Sequence, residues 1–362
     1  MSLSLAFISF AHGHAYTYAD VLRTMPEVRL AACWDDDAAR GQAAATRYGM
    51  RWVPVLDDLL GDGKIDAVIV TSPTNRHAAH VVAAAAAGKH VLCQKPMALS
   101  LADCDRMIEA VKRSAITFSM AYQMRHDPVN QEMRRMVRAG ALGRIGLARR
   151  RHCIPVLFSK DFVAGSTRWH VDPVQNMGMF MDDAVHACDW YTWMFGRPTS
   201  VIAEIDNVLT TVAPDDTGVA IYRFAGSQYV ASGMMGILVN SSVIHAGLNT
   251  TELYGDEGVL VQDYGDAPSA AMEHPPDARP VRWYRADQPD RRWRVPDLPV
   301  AASQGERIAA VPRPFVECLL EGTPVAATAE DGRVGVEMVL GAYDAAREGR
   351  RVTFPLVAGR KS

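Results

Sequence analysis

Between residues 4 and 121 short β-rich apolar runs alternate with longer amphipathic ones, the pattern of a parallel sheet with crossover helices. The apolar runs predict strands at Leu5–Phe10, Arg29–Trp34, Arg51–Val55, Ala67–Thr71, His90–Cys93 and Thr117–Ala121. Helical spacing predicts Tyr16–Met25, Asp37–Tyr48, His77–Ala87 and Leu101–Arg113, with Gly49 and Gly88 as C-terminal stops and Ser100 as an N-cap. After Met124 the texture changes to long alternating runs such as Thr217–Phe224 and Gln228–Met234, which suit a largely antiparallel sheet. A last helix near Asp331–Arg347 ends at Gly349 and leads into a closing strand, Arg351–Phe354. The predicted class is therefore α/β. A doubly wound parallel sheet occupies residues 1–122, and an α+β domain with a large, mostly antiparallel open sheet occupies 123–362.

Composition narrows the function classes. A chain of 362 residues with 49% hydrophobic and 22% charged residues is long enough for two ordinary folded domains. With 38 Lys+Arg against 41 Asp+Glu, no general field recruits nucleic acid or an anionic membrane. No apolar run approaches the ~20 residues that span a bilayer, and Leu3–Phe10 reads as a first strand rather than a signal peptide. The six cysteines form no C-x-x-C pair, which places the chain in a reducing compartment, the cytoplasm. Nine of the twenty prolines fall between residues 268 and 314, so that stretch reads as loops and edge strands.

The first strand–turn–helix is where a dinucleotide's pyrophosphate would meet a helix N-terminus. In register with G-x-G-x-x-G the chain has Ser9, Ala11 and His14, with Phe10, His12 and Gly13 between them. Asp35 closes the second strand 22 residues after Gly13, where a carboxylate binds the adenosine ribose and favours NAD over NADP. The fourth strand empties into a turn containing Ser72, Asn75 and His77, and the fifth into Gln94-Lys95-Pro96. Both turns lie at carboxyl ends of strands, the ligand face of an open α/β sheet. Further on, Asp182, His186 and Asp189 stand at i, i+4 and i+7 on one helical stripe, with Asp183 about 100° away. An aspartate one turn before a histidine holds an imidazole for acid/base work. A metal site using His186, Asp182 and His152, His170 or Asp172 would match no recognised ligand spacing, so no metal is expected.

The ordered pieces Leu30–Asp37 (LAACWDDD), Asp66–His77 (DAVIVTSPTNRH), Ala86–Leu99 (AGKHVLCQKPMAL), Ala121–Pro128 (AYQMRHDP), Gly140–Ile145 (GALGRI) and Asp182–Trp193 (DDAVHACDWYTW) run over nearly the whole chain, as does the tail Glu330–Phe354. In this combination the chain resembles the Gfo/Idh/MocA oxidoreductases. The resemblance implies an N-terminal Rossmann domain and a nicotinamide cofactor. It implies a sugar or cyclitol as the small-molecule substrate, and a homodimer or homotetramer formed through the C-terminal sheet. Lys95 matches the lysine of the family's E-K-P motif, Asp182 and His186 its D-x-x-x-H pair, and Tyr122 and Arg125 its substrate pocket. On that basis His186 is the acid/base, Asp182 holds it, and Lys95 polarises the oxygen. Arg125, His170, Asp172 and Asp189 are candidate substrate contacts. Three positions depart from the family's pattern: the glycine-poor turn, Gln94 in place of glutamate, and Asn176-Met177-Gly178-Met179 in place of a glycine-rich run. Two other readings stand beside a dehydrogenase: a glycosidase or lyase that retains NAD and oxidises its substrate transiently, and a catalytically silent sugar- and NAD-binding regulator.

Overall fold

The computed structural model describes residues 2–245, 249–263, 281–298 and 304–356. The first domain runs β1 (Leu3–Ile8), α1 (His14–Leu22), β2 (Val28–Trp34), α2 (Ala38–Tyr48), β3 (Arg51–Trp52), α3 (Leu56–Leu60), β4 (Ala67–Val70), α4 (His77–Ala86), β5 (His90–Cys93), α5 (Leu101–Ser114) and β6 (Phe118–Met120). Its six strands are parallel in the order β3-β2-β1-β4-β5-β6. Every residue of β4 is fully buried, because helices cover both faces of such a sheet and leave no solvent side. The punctuation follows local chemistry. The Asp37 side chain accepts from Arg40 N at the start of α2, Gly49 ends that helix at φ +66°, and Ser100 caps α5 through Asp103 N.

The second domain begins with α6 (Pro128–Arg138), β7 (Ile145–Cys153), α7 (Lys160–Ala164), α8 (Pro173–Asn176) and α9 (Met179–Phe195). It continues through β8 (Pro198–Asp206), β9 (Thr217–Phe224), β10 (Val230–Ser241), β11 (Thr251–Gly255), β12 (Gly258–Gln262) and β13 (Arg282–Arg285). Then come α10 (Gln304–Ala309), α11 (Pro312–Glu321), α12 (Ala329–Glu348) and β14 (Val352–Thr353). Eight strands lie in the order β13-β12-β11-β7-β10-β9-β8-β14, antiparallel except for β7 beside β10. On one face α9 and α12 bury alternate residues such as Ala148, Leu238 and Tyr222. The alternate residues on the other face, including Arg149, Ile221 and Ile237, remain half-buried or exposed.

Two sequence expectations change. The end of the proline-rich stretch 268–314, read as loops, instead forms α10 and the start of α11. Pro312 opens α11, where a missing N–H costs nothing because first-turn amides lack an intrahelical partner. These helices do not stay with the second domain: Ile308, Val311, Phe315 and Val316 share one core with Phe7, Tyr18 and Leu22. The unit expected at 123–362 thus returns a segment to the first domain. Prolines at 268, 275, 276, 280 and 299 lie outside the described residues. No helix among the described residues is long and apolar enough to cross a membrane.

Candidate active site

The carboxyl end of β5 delivers Lys95 to the start of α9. Its Nζ donates to Asp182 Oδ1 at 3.1 Å and to the Asp182 carbonyl at 3.0 Å, with both side chains about 95% buried. The other carboxylate oxygen accepts from His170 Nδ1 at 3.1 Å. Burial alone would raise the Asp182 carboxyl, but His170 and Lys95 beside it hold it well below the usual carboxylate range. The start of α9 is fixed from behind: Asp215 accepts from Phe180 N at 2.7 Å and from Tyr343 OH at 2.7 Å. Gly178 makes room for this lock, since a Cβ there would lie 2.0 Å from Asp215 Oδ2.

His186 sits one turn further along α9 and is 1% exposed. The sequence assigns Asp182 to hold this imidazole, and the structure corrects that role: both carboxylate oxygens are taken by Lys95 and His170, and among the described residues His186 Nδ1 has no hydrogen-bond partner. The His186 ring stacks at 5.9 Å on His152 of β7, whose ring nitrogens are also unpartnered. Burial keeps both imidazoles neutral, holding His186 well below its ordinary value and His152 down at about 3.

The glycine-poor turn reaches the same place by side-chain substitution. Ser9 takes the left-handed conformation a glycine would supply, at φ +72°, and its Oγ accepts from Ala11 N at 3.1 Å. His14 N donates to His12 Nδ1, so His12 carries its proton on Nε2, which is buried and unpartnered. Asp35 accepts from Phe10 N at 2.6 Å, from Asp37 N and from Arg40 Nε. These donors hold its carboxyl below the ordinary range against the upward push of burial. Trp169, which the sequence reading passed over, donates its indole N–H to the Ala11 carbonyl at 3.2 Å and stacks on His170. It lies on the 154–172 segment, which covers the site.

These parts enclose a cavity of about 170 Å³ lined chiefly by His12, Gly13, His14, Lys95, His170, Asp182 and Asp183, with Ile154, Val156 and Phe162 from the cover. Ordinary ligand pockets measure ~300–1,000 Å³, so this space is smaller than one that holds a nicotinamide and a sugar ring together. Asp183 was expected to face elsewhere. It lines the cavity because the cavity wraps the first turn of α9 rather than following one helical stripe.

Several expected site residues serve the fold instead. The Phe10 ring packs in the core against Phe7 and Tyr16. Ser72 Oγ pairs with His80, and the His77 ring lies between the Pro96 and Ser72 carbonyls, tying the two turns together. Gln94 bridges His14, Tyr18 and its own neighbour's amide. Asn75 is exposed beside α4. Among the substrate candidates only His170 reaches the cavity. Asp172 caps α8, a role its place before Pro173 favours. Arg125 forms a buried two-pronged bridge to Asp189 and a further bond to Asp331, while the buried Tyr122 hydroxyl lies against α12 at Gly335. Among the described residues no cluster of histidine, cysteine and carboxylate side chains suits a metal ion.

The residues present fit a dinucleotide. The strand order is that of a dinucleotide-binding sheet, Gly13 faces open space at the N-terminus of α1, and His12 Nε2 offers an uncommitted donor there. Comparison with known proteins agrees. Residues 9–122 match the model of an oxidoreductase family described as an NAD-binding Rossmann fold, and residues 130–261 match a GFO/IDH/MocA C-terminal domain. The chain is 26% identical over 308 residues to a myo-inositol 2-dehydrogenase of Thermotoga maritima, covering 83% of this chain and 84% of that one. It is 26% identical over 369 residues to a D-apiose dehydrogenase of Paraburkholderia graminis, covering 97% and 88%. Among solved structures, levoglucosan dehydrogenase in complex with NADH superposes with a TM-score of 0.83 at 21% identity, over 99% of this chain and all of that one.

Two outcomes follow for stability. Arg125→Ala leaves Asp189 buried without its cation and should cost about 3–5 kcal/mol in urea unfolding; a loss under about 1 kcal/mol would place Arg125 in the pocket rather than the fold. His12, His14, His152 and His186 are all held neutral by burial. Below about pH 6.5 the unfolded chain takes up protons that these rings refuse, so stability should fall as pH falls through that value. His152→Phe should flatten that slope, read as urea midpoints across the same pH range.

Proposed function

The chain belongs to the Gfo/Idh/MocA oxidoreductases, with an NAD-binding Rossmann fold as its first domain, and on that premise we propose that it interconverts a ring hydroxyl and a carbonyl on a sugar, cyclitol or sugar derivative. The observation that carries this reading is the buried Lys95–Asp182 contact beside His186, made between the carboxyl end of β5 and the first turn of α9. The names of the relatives, which act on inositol, apiose and levoglucosan, support the substrate class.

NAD, when bound, supplies a nicotinamide that accepts hydride from the carbinol carbon or returns it. The β1–α1 turn with His12 and Gly13 would hold its phosphates, and Asp35 the adenosine ribose. The chain's own part is to manage the proton. His186 is held neutral by burial, the protonation state in which an imidazole can take the hydroxyl proton as hydride leaves. Lys95 presents an ammonium to the same oxygen, stabilising alkoxide character as it develops. Asp182 works through Lys95 and His170 rather than through His186: it fixes the ammonium and balances its charge. In the reverse direction the same groups protonate a carbonyl.

Subunit pairing through the second sheet also belongs to this reading. The cross-strand row Glu252–Arg149–Ile237–Ile221–Ile202 lies on the face that α9 and α12 leave uncovered. A dimer or tetramer should appear by sedimentation and should dissociate in Ile237→Glu; a monomeric wild type would remove this part of the proposal.

Lys95→Met and His186→Asn should each lower kcat by about 10²–10⁴-fold while changing the Kd for NAD by only a few-fold, as read by Trp169 fluorescence. Equal loss of NAD binding and turnover would make both residues structural. Asp35→Ala should weaken NAD and shift preference toward NADP, because Arg40 and Arg76 then face the ribose edge with one carboxylate fewer.

A further inference from the structure

Asp183 is a buried acid that the proposed reaction does not use. It is 3% exposed and lines the same cavity as Lys95 and Asp182. Ser242 Oγ donates to its Oδ2 at 2.8 Å. Among the described residues its Oδ1 has no hydrogen-bond partner and no cation pairs with it.

The nearby donors point elsewhere. Lys95 directs Nζ at the side chain and carbonyl of Asp182, and His170 directs Nδ1 at the other Asp182 oxygen. His12 and His14 on the cavity wall are kept neutral by burial, as are His152 and His186. The cavity therefore holds one closed ion pair and one carboxyl with no directed counter-charge. Burial and the neighbouring Asp182 push that carboxyl up to about 7 against the opposing pull of Lys95 and the Ser242 hydrogen bond, so it stands at the edge of ionisation. A second feature of the wall also awaits a ligand: His12 Nε2 is buried, carries a proton and has no partner.

We propose that Asp183 is a specificity-determining residue that selects a sugar or cyclitol bearing a protonated amino group, with the ammonium placed on Asp183 Oδ1. This rests on the polyol oxidoreductase reading and narrows its substrate class. A neutral hydroxyl offers Asp183 a hydrogen bond but no charge, so the ionised acid stays uncompensated in a low-dielectric pocket. An ammonium supplies the missing charge. A sugar carboxylate or phosphate places an anion beside Asp183 and Asp182 and is excluded by repulsion.

The test uses matched probes at a pH where the amines are protonated: D-glucosamine against D-glucose and D-glucuronate, and an aminodeoxy-inositol against myo-inositol. The readout is kcat/KM for NADH formation, or the inhibition constant of a probe that is not oxidised against one that is. In each pair the amino member should be favoured at least tenfold, with glucuronate the poorest. Asp183→Asn, which keeps the shape and the Ser242 partner, should lose tenfold or more on the amino member relative to the neutral one, chiefly through KM. The wild-type ratios test the idea even where that variant folds poorly. An enzyme that oxidises the neutral members as well as or better than the amino members overturns this inference alone, as does an Asp183→Asn that lowers both members equally. An enzyme that binds NAD yet neither oxidises nor is inhibited by any probe overturns both this inference and the function it rests on.

Discussion

Lys95 and Asp182 lie 87 positions apart in sequence, each almost wholly buried, and neither charge tolerates that environment without the other. Their contact joins the end of β5 to the start of α9. The pair is weak evidence for stability in itself, since desolvation offsets most of the Coulombic gain. Its consequence is positional. Once Asp182 must face Lys95, Asp183 on the same turn is carried to the same cavity, His186 lies one turn behind it, and His170 is drawn in as the second partner of the carboxylate. Asp215 and Tyr343 hold the first turn of α9 from the opposite side, so Asp182 and Asp183 rest on a helix locked at its N-terminus.

The β1–α1 turn shows how one function survives the loss of its usual residues. The left-handed conformation at Ser9 costs about 1–3 kcal/mol for a residue with a Cβ, and the surrounding hydrogen bonds hold it there: Ser9 N to Trp34, Ser9 O from Thr71, Ser9 Oγ from Ala11. His14 N at the helix start donates to His12 Nδ1, which makes the other ring nitrogen, buried and without a partner among the described residues, a donor. Met177 repeats the pattern at φ +68° immediately before the acid/base helix. Two of the four left-handed non-glycine residues among those described thus sit at the turns that frame the site, the others being Ala115 and Arg291.

Much of this was legible in the sequence. The strand–helix alternation to residue 121 reports a sheet buried on both faces, and Asp37, Gly49 and Ser100 mark real helix ends. Lys95 and Asp182, which the motif order pairs, are in contact. What sequence spacing cannot express is partner choice. Arg125 and Asp189 look like polar pocket residues, yet they are buried as an ion pair with each other. A helical wheel turns Asp183 away from Asp182, but a cavity that wraps one turn receives both. Helices α10 and α11 were hidden by a proline count that ignored position: Pro312 sits at a helix start, where proline is tolerated. Their packing on α1 is a long-range choice with no local signal.

The central claim is that Lys95 and His186 manage a proton while hydride passes between a polyol carbon and NAD. Its most direct test is isotopic: wild-type and Lys95→Met proteins are given NAD and ring-deuterated inositol, glucose and glucosamine, and the NADH formed is weighed by mass spectrometry. The account predicts NADH heavier by one mass unit with at least one of these polyols, at a rate that collapses in Lys95→Met. Unlabelled NADH, or labelled NADH formed equally fast by the variant, would contradict it.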